Sequence, residues 1–267
     1  MPVEIRQVWR SNLQKEFVRI SWALHRGYRV VSLDTEFPGA PLVPFGVSLN
    51  YRDRSCDDHY ATLKINVDRM KIIQAGLTLT DQFGNLPHFG TGKRIVWEFN
   101  FSDFDSSKDE CSKESVKLLE SHGIDFDRHR NLGIKSAQFA RYMVWSGLIG
   151  HSEAWITFQG GVDLAYFLKM LLNNSALPND LQQFKACIGY FFGPCVFDVK
   201  HMMTRCNLYG GLDKVATNLK VERDAGESHR AGSDSLLTTM VFQKLRQVYF
   251  SEPQELHTFV GKLHNFV

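Results

Sequence analysis

One short stretch, Val30 to Phe37, constrains this chain more than any other: Val-Val-Ser-Leu-Asp-Thr-Glu-Phe is a β-branched apolar run that ends in two carboxylates. Such a run suits a strand packed in a core. Side chains in a strand alternate between faces, so Asp34 and Glu36 point the same way, about 7 Å apart. Two like charges on one partly desolvated face repel, and a cation between them removes the cost. An Asp-x-Glu pair at an exposed strand end is ordinarily a solvated surface feature. The metal-site reading therefore depends on whether the rest of the chain brings further ligands.

The 267 residues can bury a full core as one large α/β domain or two small ones. Lys plus Arg number 31 against 29 Asp plus Glu, a net charge of +2. A general duplex-binding protein is excluded on that balance, and any nucleic-acid partner has to be held by a local basic patch or a bound metal. Five scattered cysteines with no C-x-x-C pair point to free thiols in a reducing compartment. The first residues carry Glu4, Arg6 and Arg10 without a signal-peptide core, and no run is long and apolar enough to span a bilayer. The expectation is a soluble intracellular protein without a membrane partner.

Ile5, Val8, Trp9, Leu13, Phe17 and Ile20 recur at helical spacing, with Ser11 and Gln14 placed like a capping box, so one or two helices are expected before the strand at Arg29 to Phe37. Prolines 38, 41 and 44 end that strand and open a loop of about twenty residues, a length usually reserved for function or mobility. Leu63, Val67, Met70 and Ile73 then form a helical stripe, followed by strands at Ala75 to Thr80 and Ile95 to Phe101, an antiparallel meander on the first strand. Gly90-Thr91-Gly92-Lys93 lacks the first glycine of a phosphate loop and has Arg94 where a hydroxyl is needed, so a hairpin loop is expected. Cys56 and His59 have no second ligand pair and are expected in an ordinary loop.

Helices are expected at Ser112 to Glu120 and Ser136 to Trp145, joined by a solvated connector rich in histidine and arginine from His122 to Arg130. A short strand, Ala154 to Phe158, leads through Gly160-Gly161 into a helix with Asp163 on its first turn. A carboxylate there can simply cap the helix, but functional groups in open α/β sheets gather at strand carboxyl ends. A helix from Leu181 to Tyr190, a strand from Cys195 to Val199 and a helix from Leu212 to Leu219 follow. Asp198 in that strand is expected to pair with Lys200. His229 precedes Asp234 by five residues on the loop that opens a last helix. The order βββαβαβα is that of an α/β protein with a ribonuclease H-like mixed central sheet, an antiparallel three-strand start and then parallel strands, flanked by helices.

Asp34-Thr35-Glu36-Phe37-Pro38-Gly39, Asp163 after a strand, and His229 with Asp234 resemble the four-acidic-residue-plus-histidine 3′-to-5′ exonucleases. The segments Ile72 to Thr78, Trp97 to Phe101, Phe197 to Lys200 and Ala231 to Thr238 narrow the resemblance to the CCR-associated-factor type of poly(A) ribonuclease, from about Ile5 to Phe250. The Asp-x-Glu motif is unspecific alone, whereas the whole set in order is highly specific.

The resemblance implies a single exonuclease domain over residues 1–267 that shortens messenger RNA poly(A) tails from the 3′ end and releases 5′-AMP. It implies that Asp34, Glu36, Asp163 and Asp234 hold two divalent cations, magnesium or manganese, one activating water and the other stabilising the leaving 3′ oxygen. His229 would accept the proton of the attacking water, a role suited to imidazole. Implied partners are single-stranded poly(A) RNA, a Not-type scaffold subunit and a second deadenylase subunit, in cytoplasm and nucleus. Two departures stand out. Gln159-Gly160-Gly161-Val162 replaces the usual His-Ser-Gly-aromatic before the third acid, and Arg230 replaces the usual glutamine after the histidine. A catalytically weak adaptor of the same fold, bridging a scaffold and another nuclease, is the alternative. Retention of all four acids and the histidine favours the enzyme.

Overall fold

The computed structural model describes residues 1–267, the side chain of Pro253 apart. Six strands form one mixed sheet: β1 (Val3–Val8), β2 (Val30–Glu36), β3 (Gln74–Thr80), β4 (Arg94–Asn100), β5 (Ala154–Thr157) and β6 (Val196–Asp198), ordered β1-β4-β3-β2-β5-β6. β2, β3 and β4 make the expected antiparallel meander, and β5 and β6 extend it in parallel beyond β2. The sheet is of the ribonuclease H-like kind. Around it run α1 (Leu13–His25), α2 (Cys56–Arg69), α3 (Lys113–Ser121), α4 (Phe126–Leu132), α5 (Ser136–Trp145), α6 (Leu148–His151), α7 (Gly161–Leu171), α8 (Leu181–Phe192), α9 (Val199–Met202), α10 (Leu212–Asn218), α11 (Ala231–Tyr249) and α12 (Pro253–His257). Among the described residues no helix is long and apolar enough to cross a membrane.

Alternation along β2 decides which layer each side chain meets. Val31 and Leu33 enter the larger core with Phe17 of α1, Phe139 of α5 and Leu164 and Phe167 of α7. Val30, Ser32, Asp34 and Glu36 take the other face, where α11 lies: Val30 packs on the second core, and the Ser32 hydroxyl accepts a 2.7 Å hydrogen bond from Thr239. The N-terminus of α11 touches the sheet at Gly76. A Cβ at Gly76 would stand 1.8 Å from the Ala231 carbonyl oxygen, so only glycine allows the approach. Gly76 is paired with Asp34 on one side and Glu98 on the other, which brings α11 down between two carboxylate-bearing strands.

The N-terminal expectation is corrected. Val3–Val8 is not helical but an edge strand parallel to β4, from Val3 beside Arg94 to Val8 beside Phe99. Its apolar residues happen to continue the helical spacing of α1, which hides the change of period. The Ser11 capping box does not form; α1 starts after Asn12, whose side chain instead accepts from the Trp9 amide at 2.7 Å. α2 likewise begins at Cys56, opened by a capping box between Ser55 and Asp58, so Cys56 and His59 are helical and not in a loop. It ends at Arg69, leaving Met70 and Ile73 beyond it. The connector from His122 to Arg130 is not solvated throughout: Asp125 caps α4, Phe126 and His129 are buried, and the His129 ring bonds the Phe101 carbonyl at 3.0 Å.

Candidate active site

Asp34 and Glu36 close β2 on the face covered by α11, and Asp234 comes from the first turn of α11. One carboxylate oxygen from each lies within 4.8 Å of the others. Asp34, Glu36, Phe158, Asp213, His229 and Asp234 line one cavity of about 330 Å³. His229 holds the left-handed conformation, φ 58°, two residues before α11 begins.

Asp163 reaches the site from the other layer. It sits on the first turn of α7 and one carboxylate oxygen takes a 2.5 Å hydrogen bond from the Thr35 hydroxyl. Thr35 faces away from Asp34 and Glu36, as alternation requires, and its hydroxyl turns the Asp163 carboxylate toward its own face of β2. The three-acid cluster therefore forms without Asp163, whose charge still acts on both Asp34 and Glu36.

The electrostatics are those of crowded anions. Burial raises the Asp34 carboxyl well above its usual range, and Asp163, Asp234 and Glu36 add to the rise. Burial, then Asp234 and Asp163, push Glu36 up to about 8. Asp163 rises to about 7 through burial, opposed by the hydrogen bonds from Thr35. Burial also raises Asp234, against the lowering effect of Arg223. A cluster of buried and half-buried carboxylates that oppose one another's ionisation is a site short of positive charge. Its donors are oxygens alone, which suits a hard divalent cation such as magnesium or manganese and not zinc.

Sequence reasoning missed Arg223. Its guanidinium spans Asp234 at 2.7 Å, the Ser233 hydroxyl at 2.6 Å and Asp213 at 2.6 Å, and Asp213 accepts from Ser228 at 2.7 Å. It lies in an irregular segment after α10 with no periodicity or motif to mark it. Asp198 is corrected. It is fully buried and makes no ion pair with Lys200, whose ammonium bonds the Gly210 carbonyl instead. Its carboxylate accepts backbone amides of Gln159, Lys200 and His264 at 2.8, 2.9 and 3.0 Å. Of the departure Gln159 to Val162, Gln159, Gly161 and Val162 line a second cavity of about 330 Å³ with Phe37, Tyr51 and Tyr166.

Against known proteins, the family model described as CAF1 family ribonuclease matches residues 8–142 and 136–242. The chain is 42% identical over 260 residues to probable CCR4-associated factor 1 homolog 10 of Arabidopsis thaliana, covering 97% of this chain and 91% of that protein. It is 42% identical over 249 residues to poly(A) ribonuclease pop2 of Schizosaccharomyces pombe, covering 92% and 70%. The solved S. pombe Pop2p, described as its Mg2+ and Mn2+ bound form, superposes with a TM-score of 0.88 at 39% identity, covering 98% of this chain and 99% of that one. Yeast CAF1 co-crystallised with the NOT1 MIF4G domain belongs to a structure that superposes at 0.77 with 31% identity, covering 98% and 96%. Family model, sequence identity and backbone superposition agree over nearly the whole length, and the chain belongs to the CAF1 ribonuclease family.

Proposed function

We propose that this chain is a metal-dependent 3′-to-5′ exoribonuclease that shortens poly(A) tails of messenger RNA and releases 5′-AMP. The observation that carries the reading is the convergence of Asp34, Glu36 and Asp234 within 4.8 Å on the cavity that also holds His229. An adaptor has no use for a cluster whose members raise one another's pKa and cost stability. The S. pombe relative named poly(A) ribonuclease supports the substrate.

Asp34, Glu36, Asp163 and Asp234 would hold two divalent cations, magnesium or manganese, and the Mg2+ and Mn2+ of Pop2p support that choice. When bound, such cations neutralise the phosphate and stabilise the charge that develops as the bond breaks. His229, on the cavity wall, accepts the proton of the attacking water. The water oxygen bonds to phosphorus, the bond from phosphorus to the 3′ oxygen of the preceding nucleotide breaks, and that oxygen takes up a proton. Thr35 orients Asp163, and Arg223 orients Asp234.

By likeness to the NOT1-bound relative, the chain would work on a Not-type scaffold; a second deadenylase subunit and a place in cytoplasm and nucleus are proposed on the sequence resemblance alone. The test is a 5′-labelled oligoadenylate incubated with purified protein and magnesium or manganese. Stepwise shortening that is lost in Asp34→Ala and in Asp234→Ala is expected. Equal inertness of wild type and variants would instead favour the scaffold-bridging adaptor.

A further inference from the structure

Arg230, one of the two departures from the family pattern, does not line the cavity of the acid cluster. It lies on a neighbouring cavity of about 350 Å³ with Gln7, Glu98 and His122, and its guanidinium turns inward to Glu98. Glu98 is 1% exposed, and a carboxylate so buried has to be fully hydrogen-bonded and charge-paired. One of its oxygens accepts from Arg230 through both Nε, at 3.2 Å, and Nη2, and also from Gln7 at 2.9 Å and Gln74 at 3.1 Å. The other accepts the backbone amide of Gly232 at 3.0 Å. Arg230, the N-cap residue of α11, makes no capping hydrogen bond with its own side chain, so Glu98 satisfies that end of the helix from across the sheet.

These contacts anchor the chain directly after His229. Arg230 follows it directly, and Gly232 stands between it and Asp234. Nη1 of Arg230 also reaches the Gly123 carbonyl at 3.3 Å, fixing the turn that carries His122, and the His122 ring meets the His229 ring edge-on at 4.8 Å. A left-handed conformation is strained for a non-glycine residue, so it persists at His229 only where the surroundings enforce it.

We propose that the Glu98–Arg230 pair is a positioning device for His229. It ties the histidine's loop to β4 and, through Gly123, places His122 against the imidazole. The proposal rests on the nuclease reading, in which His229 takes the proton. Arg230→Ala leaves Glu98 buried without its counter-charge and removes the side chain that ties the loop to β4. Its kcat on oligoadenylate falls about 10- to 100-fold, the range for a misplaced catalytic group, with KM changed less than about twofold. Arg230→Gln, which restores the usual family residue, keeps an amide that can donate to Glu98 and recovers most of the loss.

Acting through His229 has a further consequence: Arg230→Ala lowers no further the kcat that remains in His229→Ala. An equal loss in that background shows a merely structural pair and overturns the proposal, as does an effect on KM alone. Amide hydrogen exchange over residues 227–232 gives a readout without activity, and Arg230→Ala is expected to speed it at 229 and 230 whether or not the protein cleaves RNA. Unchanged exchange overturns the device itself. An inert wild type with accelerated exchange overturns the nuclease reading while the anchoring of the loop stands.

Discussion

The Thr35 hydroxyl and the Asp163 carboxylate share a 2.5 Å hydrogen bond across the end of β2, linking the layer of α7 to a strand whose other face carries Asp34 and Glu36. A donated hydrogen bond favours the ionised form, and it opposes the rise that burial imposes on Asp163. Thr35→Val removes the donor while keeping the shape. Asp163 is then protonated over a wider range, and the rising limb of the kcat/KM profile moves to higher pH. Activity at pH 7 is expected to fall about tenfold, the cost of one hydrogen bond to a charged group, with recovery in Thr35→Ser. A profile that keeps its position in Thr35→Val would show that the hydroxyl does not govern Asp163.

The acid cluster sets a pH dependence of stability opposite to that of ordinary surface carboxylates. Glu36 near 8 and Asp163 near 7 hold protons in the folded chain that they lose near pH 4 when unfolded. Between about pH 4 and 8 the native state binds more protons, so metal-free stability falls as pH rises through that window. Asp34→Asn removes one of the repelling charges and should raise metal-free stability at pH 8 by about 0.5–2 kcal/mol while abolishing cleavage. Urea unfolding in chelator at pH 5 and pH 8 measures both slopes. A wild type that gains stability from pH 5 to 8 in chelator, matching the variant, would contradict the burial of charge described here.

Much of this site was legible because its signals are local. The alternation of Val30 to Glu36 put two acids on one face, and the strand ends before Asp163 and the helix start at Asp234 follow from short patterns in the chain. β1 was hidden because Ile5 and Val8 fall in phase with the helix that follows. α4 was hidden because its charged residues mask the buried Phe126 and His129. Arg223 carries no local signal, since its partners lie 10 and 11 residues away across an irregular segment. The turn of Asp163 toward Thr35 depends on a hydroxyl 128 residues distant, a relation that no window on the chain contains.

Arg223 balances the cluster from its solvent side. Its fork engages Asp213 and Asp234 together, and its charge lowers the carboxyls of Asp34 and Asp234. Arg223→Gln leaves the mostly buried Asp234 and the exposed Asp213 without that partner and should cost about 1.5–3 kcal/mol in metal-free protein. Saturating Mn2+ supplies positive charge to the same carboxylates, so part of the loss should return. Arg223→Lys should rescue little, because one ammonium cannot span both acids. Denaturant unfolding with and without Mn2+ decides the matter: an identical loss in both conditions would mean that Arg223 acts by packing and not as a counter-charge.

Asp198 is the acid most easily mistaken for a metal ligand, being fully buried at the carboxyl end of β6 and close enough for its charge to act on Asp163. Its oxygens are already committed to three backbone amides, two from the turns after β5 and β6 and one, His264, from the C-terminal segment. A carboxylate used in this way holds chain segments together, and an amide in its place must turn its NH2 toward an N–H. Asp198→Asn should therefore cost about 1–3 kcal/mol and speed hydrogen exchange at His264, because one accepted bond is exchanged for a clash of donors. Mn2+ affinity measured below the unfolding transition should stay close to that of the wild type. The reverse pattern, intact stability with lost Mn2+ binding, would place Asp198 among the ligands and require its amide contacts to give way on metal binding.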